Sequence, residues 1–135
     1  MSGELQSIVA IATEQDIIRA RQAGRELAQA YGFGTVDQTR LATAISELVR
    51  NVIRYAGSGE CRISTETNLT HKTIHIIVAD HGPGIPDVKL AMEPGYSACG
   101  GLGLGLPAVR RLMDRMSIES RPGITMVTAS MCRRK

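Results

Sequence analysis

The sequence predicts an α+β fold, a two-layer α/β sandwich in which a mixed, mainly antiparallel sheet carries its helices on one face. Three observations predict it. Local patterns follow the order β-α-α-β-β-loop-α-β-β, so most strands come in hairpin-like pairs and need few crossovers. One helical stretch has a continuous apolar stripe that must be covered by a sheet or another helix. The 135 residues, 43% hydrophobic and 21% charged, suffice for one core and are too few for two ordinary ones. Residues 1–135 are therefore expected to form a single domain.

Residues 4 to 13, ELQSIVAIAT, alternate loosely between apolar and polar and suit a first strand with one buried face. Thr13 with Asp16 resembles a capping box with Asp in place of Glu or Gln. Behind it Ile17, Arg21, Gly24, Leu27, Ala28 and Tyr31 recur at helical spacing as far as Gly32 and Gly34. A second box, Thr35 with Gln38, opens a helix over residues 36 to 55, whose stripe is Leu41, Ile45, Leu48, Val52 and Tyr55. The turn Gly57-Ser58-Gly59 leads into strands over 60 to 67 and 72 to 79, joined by Asn68 to His71. Residues 80 to 102 have no sustained period and contain Pro83, Pro86 and Pro94; so long a loop in so small a domain is expected to act as a lid. Leu104, Val109, Leu112, Met113 and Met116 restore a helical pattern. Pro107 suits its first turn because the amide that proline lacks would have no helical partner there. Strands over 117 to 121 and 124 to 131, divided by Pro122-Gly123, close the pattern.

Composition narrows the function classes. The first ten residues, MSGELQSIVA, have no signal-peptide pattern, and no apolar run approaches the roughly 20 residues that cross a bilayer. No membrane association is expected, and a cytoplasmic location is. Cys61, Cys99 and Cys132 are odd in number and lack CxxC spacing, so they are expected to be reduced thiols. The net charge of +3 and the terminal Arg133, Arg134 and Lys135 could suit nucleic acid, but aromatics are 3% and no stacking platform is visible. The tail is expected to be solvated, with no nucleic acid as partner. His71, His75 and His81 lie on or beside strands and offer no helical metal-binding face.

Three constellations carry chemistry. On the second helix Glu47, Asn51 and Arg54 project from one side, roughly 80 to 140 degrees from the apolar stripe, and can line a cleft at the core's edge. An amide oxygen plus phosphate oxygens suits Mg²⁺, with a carboxylate one turn away to take a proton. Taken alone, ExxxN is better explained as a solvated helix face. Asp80-His81-Gly82-Pro83-Gly84 follows directly on an apolar strand. There the aspartate could accept the exocyclic amine of adenine, and the glycines could let backbone approach a flat ring, although the same residues make a serviceable turn. Gly100-Gly101-Leu102-Gly103-Leu104-Gly105-Leu106 enters the third helix, where unobstructed N–H groups and the helix dipole favour an anion. No Lys follows these glycines, which excludes the P-loop, and the long preceding loop argues against a dinucleotide fingerprint.

Together E47xxxN51, D80xG82xG84 and G101xG103xG105 resemble, in order, the N, G1 and G2 boxes of the Bergerat (GHKL) ATP-binding family. The stretches GFGTVDQTRLATAISELVRN, DHGPGIPD and GGLGLGLPAVRRLMD are similar to the serine/threonine switch kinases of bacterial stressosomes within it. The resemblance implies ATP and Mg²⁺ as cofactors, with Asn51 on the metal and Glu47 as general base. It implies that Asp80 reads adenine, that Gly82, Gly84, Gly101, Leu102, Gly103, Leu104 and Gly105 shape the nucleotide pocket with an ATP lid at about 86–102, and that Arg54 faces phosphate. The family's last pocket contribution is a Thr following a Gly. Here Ile124 stands between Gly123 and Thr125, so strand alternation turns Thr125 to the opposite face unless the turn shifts by one residue.

The implied activity is transfer of the ATP γ-phosphate to Ser or Thr of STAS-domain scaffold or antagonist proteins in a stress-signalling partner-switching module, with a phosphatase regulatory domain as a further partner. The alternative is an anti-sigma factor of the same fold, which sequesters a sigma factor and phosphorylates its antagonist. A third class is a catalytically idle nucleotide-binding adaptor. A histidine autokinase would need a helical segment carrying the acceptor histidine, for which the chain leaves no room.

Overall fold

The computed structural model describes residues 6 to 84 and 105 to 135. The elements follow the expected order: β1 (Gln6–Ile11), α1 (Gln15–Ala30), α2 (Thr35–Tyr55), β2 (Gly59–Thr67), β3 (His71–Asp80), α3 (Leu106–Leu112), β4 (Arg115–Arg121) and β5 (Ile124–Arg134). Five strands form one sheet in the spatial order β1-β2-β3-β5-β4. All four described pairings are antiparallel. β3 and β4 run in the same direction, and β5 returns between them. The expected lid at 86–102 and Cys99 lie outside the described residues.

Period-two alternation sets the inner face. Val9 and Ile11 of β1, Cys61 and Ile63 of β2, Ile74, Ile76 and Val78 of β3, and Val127, Ala129 and Met131 of β5 are all buried in one cluster. The same cluster takes Leu41, Ile45, Leu48 and Val52 from α2 and Leu106 and Val109 from α3. Each such aliphatic side chain contributes about 1.5–3 kcal/mol on burial. Burial also pushes the Cys61 thiol up to about 12, so this residue packs as a small apolar group.

α1 and α2 pack closely at Gly24. A Cβ there would run into Ile45 Cδ1 and sit 3.6 Å from Ile63 Cδ1, so the absent side chain sets how near the two helices come. Arg21, expected in the α1 stripe, is exposed; the buried line runs through Asp16, Ala20, Gly24, Leu27 and Ala28.

The expected capping boxes differ in detail. α2 begins at Thr35 itself, with Gly34 as N-cap. The Gln38 amide donates to the Phe33 carbonyl at 2.9 Å instead of reaching the cap residue's amide. At α1 only the return half of a box forms. Asp16 Oδ2 accepts the Ala12 and Thr13 amides at 2.9 and 3.0 Å, and the Thr13 hydroxyl also turns to it. The Ala12 amide first, then the Thr13 amide, holds the Asp16 carboxyl below its usual 3.8, with Arg19 adding in the same direction. A carboxylate with a depressed folded pKa stabilises the fold above its unfolded pKa and loses that contribution as pH falls through the folded value. Asp16→Asn is therefore expected to lower the melting temperature at neutral pH. The gap from wild type should close in melts recorded below about pH 4, and a gap independent of pH would refute the assignment.

Two further expectations are corrected. α3 ends at Leu112 and Met113 is its C-cap, while Met116 belongs to β4; the helical spacing of 104 to 116 ran across the turn into a strand. Of the basic terminus Arg134 and Lys135 are exposed as expected, but β5 continues to Arg134 and Arg133 is not part of a solvated tail. Arg133 grips Asp37 at the start of α2 through two bonds, 2.9 and 3.0 Å, and Asp114 through a third at 3.0 Å. This bidentate pair ties the end of the sheet to the helix that carries the candidate site.

Candidate functional site

One side of α2 is buried against α1, the sheet and α3, and Glu47 and Asn51 lie half-buried at the edge of that packing. Arg54, on the last turn, is exposed. Arg50 lies one turn from Glu47, its Nη1 3.4 Å from Glu47 Oε1. Sequence reasoning passed over Arg50, although its i,i+3 spacing from Glu47 was legible.

Glu47 faces the entry to α3. Gly105, the α3 N-cap, has φ +67°, and a Cβ on it would run into Glu47 Oε2 and lie 3.1 Å from Glu47 Cδ. Glycine here serves two needs, a left-handed backbone and room for a carboxylate. Gly105→Ala is expected to cost about 1–2 kcal/mol from the backbone alone and to displace Glu47. Urea unfolding with a parallel activity assay checks this, and a variant with wild-type values for both would refute it.

The Asp80 loop lies under the C-terminal end of α2. Asp80 Oδ1 accepts the Gly82 amide at 2.9 Å, which closes a short turn at the end of β3. A Cβ on Gly82 would lie 2.7 Å from Ala56 Cβ, so the loop abuts the residue that caps α2. A Cβ on Gly59, opposite Asp80, would be 2.8 Å from Val52 Cγ1 and 3.2 Å from Asp80 Cβ. Asp80 and the helix turn bearing Asn51 are thus on the same side of the molecule. The loop is also tied to the β4–β5 hairpin. Gly123 N donates to Gly82 O at 3.0 Å, and a Cβ on Gly84 (φ +86°) would approach Arg121 O to 2.7 Å.

Thr125 lies on the same face as Asp80. Asp80 pairs with Thr125 across β3 and β5, which puts both side chains on the helix-facing side, and Thr125 is buried. The two-residue turn Pro122-Gly123, with Gly123 at φ +95°, pairs Arg121 with Ile124 and Ser120 with Thr125. Counting outward from that turn gives the facing that spacing from the glycine alone missed. Ser120, which sequence reasoning also missed, has its Oγ 2.8 Å from Thr125 Oγ1.

Of the glycine-rich segment, Gly101, Leu102, Gly103 and Leu104 lie outside the described residues, and Gly105 is placed against Glu47. Among the described residues no three His, Cys, Asp or Glu side chains come together as a metal-ligand group, and no helix is long and apolar enough to cross a membrane. His75 pairs with Glu66 at 3.1 Å and His71 with Thr70 at 2.8 Å, both away from this site. A groove of about 400 Å³ runs along the β4–β5 hairpin between Ile118 and Met126. Neither Asp80 nor Glu47 lines it, so the motif geometry and not this hollow defines the candidate site.

The arrangement offers an acceptor carboxylate beside a buried hydroxyl at one end, an amide and a carboxylate on α2, and a glycine-opened helix entry against that second carboxylate. Comparison with known proteins bears on what this serves. Residues 11–131 match the family model of the histidine kinase-like ATPase domain. The chain is 54% identical over 118 residues to the serine/threonine-protein kinase RsbT of Bacillus subtilis, covering 87% of this chain and 89% of that one. It is 32% identical over 94 residues to the anti-sigma F factor of Bacillus licheniformis, covering 65% of this chain and 64% of that one. Among solved structures, the RsbU and RsbW domains of Rv1364c from Mycobacterium tuberculosis superpose with a TM-score of 0.65 at 18% identity, over 98% of this chain and 33% of that one. The catalytic domain of histidine kinase ThkA superposes with a TM-score of 0.56 at 18% identity, over 93% and 95% of the two chains. Those two structures bear on the fold alone. The family match over most of the chain, joined to majority identity with RsbT across most of both chains, establishes that the protein belongs to the histidine kinase-like (GHKL) ATPase family, in its RsbT group of serine/threonine protein kinases.

Proposed function

We propose that the protein is a cytoplasmic kinase that transfers the γ-phosphate of magnesium-bound ATP to Ser or Thr of a STAS-domain partner, within a stress-response partner-switching module. The observation that carries this reading is that the described parts of the three motifs adjoin α2 or one another. The Asp80 loop abuts the end of α2, Thr125 lies opposite Asp80, and Glu47 faces the entry to α3.

In this reading Asp80 accepts the exocyclic amine of adenine while its own turn holds Oδ1 in place. Asn51 holds Mg²⁺ through its amide oxygen, and the hard oxygen donors on this helix face fit that ion. Bound magnesium supplies charge neutralisation on the phosphates. Of the glycines among the described residues, Gly82, Gly84 and Gly105 shape the pocket. Arg54 faces phosphate from the last turn of α2. Glu47 takes the proton from the incoming hydroxyl, a role its placement beside the α3 entry supports. Phosphoryl transfer needs little more from the protein than alignment and charge stabilisation.

Incubation with labelled Mg-ATP and candidate STAS proteins, followed by mapping of the labelled residue, tests the reading; label on Ser or Thr is expected. Absence of label on every STAS candidate, with ATP binding intact, would favour the idle adaptor. The similarity to anti-sigma F factors motivates a second reading. Stable retention of a sigma factor in a pull-down would favour that one. Asn51→Ala is expected to weaken Mg-ATP binding by about tenfold or more, as loss of a charge-assisted contact does. Wild-type affinity in a nucleotide titration would remove Asn51 from the metal.

A further inference from the structure

Thr125 has a cross-strand neighbour on each flank of the helix-facing side, Asp80 of β3 and Ser120 of β4. It is 7% exposed, and its hydroxyl oxygen lies 2.8 Å from that of Ser120. A hydroxyl has one proton and two lone pairs, so this bond runs in one of two senses. If Thr125 donates, its proton is used up and only a lone pair faces a ligand. If Ser120 donates, the Thr125 proton stays available.

Asp80 distinguishes the two senses. As a carboxylate it offers acceptors only, with Oδ1 turned to the Gly82 amide. In the ATP reading the base donates to Asp80 through adenine's exocyclic amine, and the next ring atom along that edge is an acceptor nitrogen. Guanine presents the reverse order there, an acceptor oxygen followed by a ring N–H donor. A donor beside Asp80 therefore completes a match to adenine, whereas a second acceptor would not.

We propose that Ser120 is a positioning residue for nucleobase selection. It donates to Thr125, so that acceptor Asp80 and donor Thr125 face the base as a pair complementary to adenine and opposed to guanine. This rests on the ATP reading of the site and adds to it a residue from β4, outside the three boxes.

The test is a binding titration of wild type, Ser120→Ala and Ser120→Thr with ATP, GTP and 1-deaza-ATP, in which a C–H replaces the acceptor nitrogen. Wild type is expected to prefer ATP over both analogues. Ser120→Ala should lose about 3–10-fold for ATP and keep the wild-type affinity for 1-deaza-ATP, while Ser120→Thr restores the preference. Ser120→Cys retains bulk with a weak donor and should give an intermediate ratio if the alanine variant unfolds. A Ser120→Ala protein with undiminished preference for ATP over 1-deaza-ATP overturns the proposal, as does equal weakening of both. Those outcomes leave the ATP reading standing, whereas a wild-type protein that binds no adenine nucleotide overturns both.

Discussion

Glu47→Gln is expected to cut phosphotransfer by at least ~10²-fold, the usual size of a general-base effect, while nucleotide binding persists. Glutamine has nearly the same shape and keeps an oxygen for the Arg50 contact and for the packing against Gly105. What it loses is the ability to accept a proton. Single-turnover transfer from labelled ATP to the partner, run beside a nucleotide titration, separates the two effects. A rate equal to wild type would remove Glu47 from the base role. Loss of binding together with transfer would make it a structural member of the pocket instead.

Asp80→Asn should act at the other end of the site and on binding. The amide oxygen can still accept the Gly82 N–H at the Oδ1 position, so the turn and the abutment of Gly82 on Ala56 are retained. The remaining position becomes an NH₂ facing an amine. A hydrogen bond to a charged group contributes about 1.5–3 kcal/mol, and about 1.4 kcal/mol is a factor of ten. ATP affinity is therefore expected to fall by ~10- to 10²-fold with the melting temperature unchanged. Calorimetric titration reads the first and thermal unfolding the second. An Asp80→Asn protein that melts normally and binds ATP like wild type would show that Asp80 does not read the base.

Much of this protein is legible because its signals are local. The apolar positions of α2, the inward alternation of β3 and the Pro122-Gly123 turn each depend on neighbours within a few residues, and those elements stand where periodicity puts them. The misses come where local pattern and tertiary packing compete. Thr35 and Gln38 spell a capping box, but the chain enters α2 one residue earlier and Gln38 serves Phe33. Met113 and Met116 keep helical spacing although the chain has turned into β4, because a buried apolar residue suits either element. Arg133 looks like part of a charged tail until the sheet brings it to Asp37, far away in sequence.

By itself the sequence determined the class of fold, the order of its elements and the three motifs on α2, at the end of β3 and before α3, since backbone propensity, turn chemistry and apolar periodicity act over short stretches of chain. Only the tertiary structure decided that Thr125 faces Asp80, that Ser120 stands behind Thr125, and that Gly105 makes room for Glu47. Those relations depend on strand register and on how closely two elements pack. A shift of one residue in register reverses a side chain, and a single Cβ fills the space between a helix entry and a carboxylate.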